Sequence, residues 1–491
     1  MKIPLLLKQI AIRIGAVFII KIIGLVGRVA LTRMVGAEGV GLYQISYSYF
    51  GLLLMIIVGG WPTVLALFTT RNAKRGWAWF KIISVLLMVW GGILSLLSFT
   101  FSHQIAELLG NPELFFSIQC LAPALFAVPL LSLLRGYLQG LERYTLIAMS
   151  ELVEQAVRVG AMLLFIMLFL SKGPLMAAGS GMLGTFAGAM ASFVMLTLYF
   201  MSASTNIRRK NEQETLHFSE FSSGFSWFLQ TSLAISLTRL LGPLSDFVDA
   251  LIIPARLQIA GHSASQATAM FGVVTGMAVL VVYVPTLVTG ALSHTLTMKM
   301  VTDWREGRLE QFTKRSGITL EIAWVWGIAA STFLFVYGPE LSWFIFKTKE
   351  AGEPIRYLAI VPLLVGLREL TTSILWAQER KKIPFAGLVT GICCAVCCHY
   401  VLVAIPGFGY AGASIGILVL EAVAVMWNVW SLLEVCKRLR FLPLLMDALV
   451  IIGGMIIIYL PLHTQADRGV MDPMQVVTGM ILFCGGAGIY I

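Results

Sequence analysis

Three cations lie inside the first apolar stretch of the chain, and their spacing is the first chemistry it offers. The run from Ile10 to Val35 carries Arg13, Lys21 and Arg28. At about 100° per residue, Lys21 lies roughly 80° and Arg28 roughly 60° around a helix from Arg13, so the three share one face. A run of this length crosses a bilayer, which takes about 20 apolar residues. A cation near mid-membrane costs about 2.5–3.5 kcal/mol on insertion scales and usually faces a bundle interior or a wet cavity. Snorkelling to the headgroups accounts for Arg13 at one end and Arg33 at the other. Lys21 and Arg28 sit deeper, and their own helix offers no acid. They need a carboxylate from another helix or an anionic ligand.

Further charges fall in later apolar stretches. Glu151, Glu154 and Arg158 lie within roughly 60° of one helix face, and Arg239, Asp246 and Asp249 within roughly 80° of another. Gly242-Pro243 beside the second group can kink its helix and free backbone groups. Glu154 and Arg158, one turn apart, can also pair structurally. Acids at depth can bind H+ or Na+ and so couple transport to an ion gradient. These residue types mark Lys21, Arg28 and Arg239 as a substrate-binding cationic set. Asp246, Asp249, Glu151, Glu154 and Arg158 form a gating or ion-coupling set. There is no P-loop, zincin motif or nucleophile elbow, so the sequence reads as a non-enzyme without a cofactor. Cys393, Cys394, Cys397 and Cys398 precede His399. Their one-turn spacing in an apolar run favours small residues packing a helix interface over a metal site.

The elements that must position these groups are membrane helices. Of 491 residues, 58% are hydrophobic and 12% charged, against about 25% charged in soluble chains. The net charge of +10 does not imply nucleic acid, because the basic residues cluster in short loops between apolar spans. About 14 spans are expected, near 9–33, 39–68, 77–101, 114–138, 145–171, 174–201, 225–253, 270–298, 317–337, 355–376, 384–405, 411–433, 441–462 and 475–491. With the N-terminus in the cytoplasm, twenty basic residues fall in cytoplasmic segments and seven opposite, the asymmetry of the positive-inside rule. The segment 299–315 reads as a short amphipathic surface helix or a solvated helical loop.

A faint repeat divides the chain. Gly140-Leu-Glu-Arg143 matches Ala377-Gln-Glu-Arg380, each after a span holding an arginine, Arg135 or Arg368. Trp61-Pro-Thr-Val64 matches Val284-Pro-Thr-Leu287. The fold expected is an all-α polytopic membrane protein with two six-helix lobes in parallel pseudo-repeat and two C-terminal helices. The lobes fall at 1–205 and 224–438, with a cytoplasmic linker at 206–223 and the extra spans at 439–491.

Specific stretches then resemble a known group. Gly36-Ala-Glu-Gly-Val-Gly-Leu-Tyr-Gln44 after Gly24-Leu-Val-Gly-Arg28, Asp249-Ala-Leu-Ile-Ile-Pro-Ala-Arg-Leu257 with Gly261, and Gly272-Val-Val-Thr-Gly-Met277 before Val284-Pro-Thr are similar to the stage V sporulation protein B group of polysaccharide transporters. That group belongs to the multidrug/oligosaccharidyl-lipid/polysaccharide exporter superfamily, with the lipid II flippase MurJ as a relative. The resemblance implies a bacterial plasma membrane, alternating access and a central cavity. It implies an undecaprenyl-linked glycan precursor as substrate, among membrane lipids. It places Lys21 and Arg28 where that group has basic residues flanking a glycine. An ion-coupled drug or metabolite antiporter of the same superfamily is the second reading. A non-transporting scaffold for envelope or spore assembly is the third. Thiols introduced at positions 72, 211 and 307 are expected to react with impermeant reagents only from the cytoplasmic side. External labelling at 211 would give the first half an odd number of crossings and overturn the two-lobe arrangement.

Overall fold

The computed structural model describes residues 5–202, 218–433 and 441–464, together with 474, 478 and 479. In chain order its helices are α1 Leu5–Val58, α2 Trp61–Arg71, α3 Ala73–Thr100, α4 Ser102–Leu108, α5 Leu114–Gly140, α6 Tyr144–Phe169, α7 Pro174–Gly181, α8 Leu183–Ser202 and α9 Phe218–Ile259. They continue with α10 Ala264–Phe271, a π-helical segment Gly272–Ala278, α11 Val279–Val282, α12 Thr286–Arg305, α13 Leu309–Phe346, α14 Gly352–Tyr357, α15 Val361–Ala377, α16 Lys382–Leu402, α17 Gly409–Ser431 and α18 Phe441–Thr464. Among the described residues there is no strand. Nine helical stretches there are long and apolar enough to cross a membrane. The protein is an all-α polytopic membrane protein. The expected last span, 475–491, lies outside the described residues except for 478 and 479, as does most of the expected linker, while 218–223 open α9.

Local chemistry sets the breaks. The first expected span and most of the second form one helical stretch, α1, kinked at Gly36, whose φ of 70° is one an L side chain rarely adopts, and the second span breaks again at Gly59-Gly60 before α2. Asn72 caps α3 by accepting hydrogen bonds from the amides of Lys74 and Arg75 at 3.0 and 3.1 Å, satisfying two donors of its first turn. Ser263 and Gln266 form a reciprocal capping box that starts α10.

Packing divides the chain into two units, residues 1–251 and 252–491. The core of the first gathers Trp79, Tyr137, Leu65 and Phe228. Part of the second's core gathers Met300, Phe312, Leu370 and Ile374. The repeat has backbone counterparts. Gly36 and Gly261 both have positive φ, one after the first helix of each half. Trp61-Pro62 and Pro285 both follow a break in the next helix. Glu142 and Glu379 are both left-handed, at φ 57° and 62°. After each, the arginine amide donates back five residues, Arg143 to Leu138 at 3.0 Å and Arg380 to Leu375 at 2.9 Å. These are the same helix-terminating turn.

Two expectations change. Residues 299–315 do not form a separate surface helix: α12 runs to Arg305, turns through Glu306, Gly307 and Arg308, and α13 begins at Leu309. The physical reason is Asp303, buried at the turn with Arg308 Nη2 at 3.1 Å and Arg315 Nη1 at 2.7 Å. The helical spacing belongs to the ends of two longer helices, α12 and α13, joined at that turn. The cysteine cluster takes only a secondary part in the helix interface, with Cys394 and Cys398 half-buried. Gly387, Gly391, Ala395 and His399 form the buried stripe of α16, while Cys393 and Cys397 are exposed. Glycine and alanine let backbones approach more closely than cysteine does. No group of metal-ligating residues assembles among the described residues.

The left-handed glutamates give a stability test. A left-handed L residue costs about 1–2 kcal/mol, offset in part by the entropy glycine loses on folding. Glu142→Gly is therefore expected to raise the melting temperature in detergent, by up to about 1 kcal/mol of stability, and Glu142→Val to lower it. Equal melting of all three proteins would show that the turn carries no strain.

Candidate functional site

The charged side chains of the first unit form two groups that differ in how they are neutralised. The deeper group centres on Glu154 of α6. Arg135 of α5 donates through Nη1 to Glu154 Oε2 at 2.6 Å, through Nε to Ser150 Oγ at 2.9 Å and through Nη2 to Ser192 Oγ at 3.0 Å. Ser192 of α8 in turn donates to the Ser150 carbonyl at 2.8 Å. Arg158 pairs with the other oxygen of Glu154 one turn along α6, and donates to Tyr47 OH at 3.3 Å. One arginine thus ties α5, α6 and α8 together, and a second reaches α1. The second unit holds a comparable pair. Arg368 of α15 donates to both oxygens of Glu421 of α17, at 2.5 and 3.4 Å, and Tyr283 OH donates to Glu421 Oε1 at 3.3 Å. Neighbouring Glu369 accepts from Thr289 at 3.1 Å.

The shallower group lies on α1 and α9. Lys21, Arg28 and Arg239 are exposed, and among the described residues none has a carboxylate within salt-bridge distance. Asp246 is exposed and Asp249 half-buried. Arg28 and Asp249 are the charges that act on Asp246, and Arg28 also acts on Tyr43. Tyr43 stacks on Tyr47 with ring centroids 5.6 Å apart. The Arg28 charge thus acts on Tyr43, which stacks on Tyr47, whose hydroxyl accepts from Arg158 beside Glu154 and Arg135.

Close approach of α1 to α6 fixes this arrangement. A Cβ on Gly24 would meet Gln155 Nε2 at 2.9 Å, and one on Gly27 would meet Val159 Cγ1 at 2.7 Å. The glycines seat one side of α1 against α6 and leave Lys21 and Arg28 on its accessible flank. Pro243 lacks an amide hydrogen, so the Arg239 carbonyl four residues earlier loses its helical partner within α9.

The structure thus pairs Glu154 with Arg158, and it places Arg28 and Asp249 where their charges act on Asp246. It does not bring Arg239 or Glu151 into an ion pair with either group among the described residues. Arg135, Tyr43 and Tyr47 complete the network and were not selected from the sequence. The helical spacing of the two tyrosines, four residues apart beyond Gly36, was the one available signal.

The chain's relatives bear on what this arrangement serves. A family model described as polysaccharide biosynthesis protein matches residues 6–297. Stage V sporulation protein B of Bacillus subtilis (strain 168) is 26% identical over 457 residues, 91% of this chain and 88% of that protein. Lipid II flippase MurJ of the same organism is 24% identical over 404 residues, 76% of this chain and 73% of that protein. A solved structure of lipid II flippase MurJ in an inward closed conformation shares the fold, with a TM-score of 0.72 over 97% of this chain and 98% of that one at 15% identity.

The deeper network has a direct test. Removing one partner of a buried pair strands the other at about 3–5 kcal/mol. Glu154→Gln leaves both Arg135 and Arg158 without their counter-ion, so it is expected to lower the melting temperature sharply in detergent. The double variant Glu154→Gln with Arg135→Met is expected to recover part of that loss. A Glu154→Gln protein that melts as the parent does would remove the network's structural role.

Proposed function

The chain belongs to the polysaccharide biosynthesis protein family, and on that premise we propose that it is a flippase for a lipid-linked cell-wall or polysaccharide precursor. The substrate is an undecaprenyl-linked glycan whose pyrophosphate is held by Lys21 and Arg28, with Arg239 as a third cation. The membrane is the bacterial plasma membrane, with the N-terminus in the cytoplasm, and the chain works by alternating access as a transporter and not an enzyme. The observation that carries this reading is the contrast between the two sets of cations. Arg135, Arg158 and Arg368 are matched by carboxylates, whereas Lys21 and Arg28 remain accessible with none in salt-bridge distance among the described residues. Fixed cations can replace the water shell of a pyrophosphate crossing a low-dielectric medium. The polyprenyl chain needs no such help and stays in lipid.

Lysine at position 21 serves as a point charge, and arginine at position 28 supplies a planar fork suited to two phosphate oxygens. Asp246 lies close enough to Arg28 to compete with the substrate for it, and Asp249 in turn acts on Asp246. In this reading they release the bound anion when Arg28 swings toward them, and protonation or Na+ binding there couples the cycle to an ion gradient. Glu151 is a further coupling acid, while Glu154 and Arg158 hold α6 against α1 as the cycle turns. The two aspartates are also the feature that favours the second reading, an ion-coupled antiporter for drugs or metabolites.

Flipping of lipid-linked precursor in proteoliposomes, read beside melting temperature, tests the proposal. Arg28→Lys is expected to keep partial transport. Arg28→Gln is expected to weaken substrate binding by roughly tenfold to a hundredfold, the worth of about 1.5–3 kcal/mol for a charge-assisted hydrogen bond. Lys21→Glu is expected to abolish flipping, and Asp246→Asn with Asp249→Asn to change its ion dependence. Normal flipping per folded molecule by Arg28→Gln would sink the assignment.

A further inference from the structure

The second unit carries a cavity of about 510 Å³ lined by Thr297, Val301 and Arg305 of α12, Trp376 and Ala377 of α15, and Glu379 and Lys381 of the turn that follows. It lies outside the charged network of that unit and has no part in the function proposed above. Its lining is graded along its length. Thr297, Val301 and Arg305 are spaced four residues apart, so they line one face of α12 over roughly 12 Å up to the helix end. Trp376 to Lys381 follow the same gradient on the other wall. One end is therefore neutral and apolar, and the other carries Arg305, Lys381 and Glu379.

The charged end has a definite requirement. Two helix C-termini, those of α12 and α15, converge there, and their carbonyl ends disfavour an anion. A bound anion must rest on side-chain cations beyond the helix ends. Arg305 Nη2 is 3.5 Å from Glu379 Oε1, and the left-handed turn that presents Glu379 also presents Lys381. Arg380, between them, is turned away and donates to the Ser431 carbonyl at 3.0 Å. The cavity thus offers one acid against two cations, and Lys381 has no carboxylate in salt-bridge distance among the described residues. Trp376 is half exposed at its mouth, and tryptophan is enriched at the headgroup level of membranes.

We propose that this cavity binds an anionic phospholipid as a resident ligand, its headgroup phosphate on Lys381 and Arg305 and the start of an acyl chain along Val301, Thr297 and Trp376. A free phosphate would satisfy the cations but leave the apolar end of the groove unused. A neutral lipid would fill the groove but leave Lys381 unmatched. The site lies at the end of the unit where Arg305, Arg380, Lys381 and Lys382 gather, which the basic-residue asymmetry assigns to the cytoplasmic leaflet, where anionic lipids concentrate.

Calorimetric titration of the full-length protein in detergent tests this, using short-chain phosphatidylglycerol, phosphatidylcholine of the same chains, and inorganic phosphate as separate probes. Phosphatidylglycerol is expected to bind saturably and more tightly than phosphatidylcholine, and inorganic phosphate is expected not to displace it. Arg305→Gln and Lys381→Gln are each expected to weaken phosphatidylglycerol about fivefold. Both side chains are exposed, so melting without added lipid is expected to stay at the parent value. Val301→Trp keeps the cations and fills the groove, and it is expected to abolish lipid binding. Equal affinity for the two lipids, or unchanged binding in the Arg305→Gln, Lys381→Gln double variant, would overturn the proposal. Displacement by inorganic phosphate would make the cavity a soluble-anion site and overturn it equally.

Discussion

An arginine buried within a membrane protein must be matched, and that requirement organises each unit of this fold. Hydrocarbon offers no water to solvate a guanidinium, so its five donors must find oxygens on neighbouring helices. Arg135 meets this by drawing Glu154, Ser150 and Ser192 toward α5. Arg368 meets it through Glu421, with Tyr283 on the same carboxylate. Such pairs add little net stability compared with well-packed apolar residues, but they penalise any register that separates the partners. They define which helices are neighbours, and the apolar packing around Trp79, Tyr137 and Phe228 fills in a geometry already chosen.

Against that background the exposed cations of α1 are informative because the same rule is not applied to them. Gly24 and Gly27 bring α1 so close to α6 that Lys21 and Arg28 sit at the edge of the contact instead of inside it. Asp246 stands near enough for the Arg28 charge to act on it, with no salt bridge between the two. A fixed pair would be a strut. A cation within reach of an acid, but not bound to it, can exchange partners at low cost, and a carrier cycle needs groups of that kind.

The sequence was most readable where one helix contains the whole argument. The pairing of Glu154 with Arg158 follows from a four-residue spacing, and the kink inside α1 follows from Gly36. It was least readable where the partner lies on a different helix. Nothing in the spacing of Arg135 points to Ser192, 57 residues on, and Tyr43 and Tyr47 look like ordinary aromatic packing until Arg158 is placed beside them. The stretch 299–315 misled for the opposite reason. Its helical periodicity is real, but it belongs to the ends of two longer helices joined at a turn held by Asp303. Likewise the cysteine spacing on α16 is helical, yet Gly387, Gly391 and Ala395 are smaller and take the buried side.

The separations within the arginine pairs also set a timetable for biosynthesis. Arg135 and Glu154 are 19 residues apart, whereas Arg368 and Glu421 are 53 apart. At a synthesis rate of about 5–20 residues per second, the first arginine waits roughly 1–4 s for its counter-ion to emerge and the second roughly 3–11 s. During the longer interval Arg368 must be sheltered by the insertion machinery, by lipid headgroups or by the finished first unit. The second half of this protein is therefore the part whose assembly depends most on help from its surroundings.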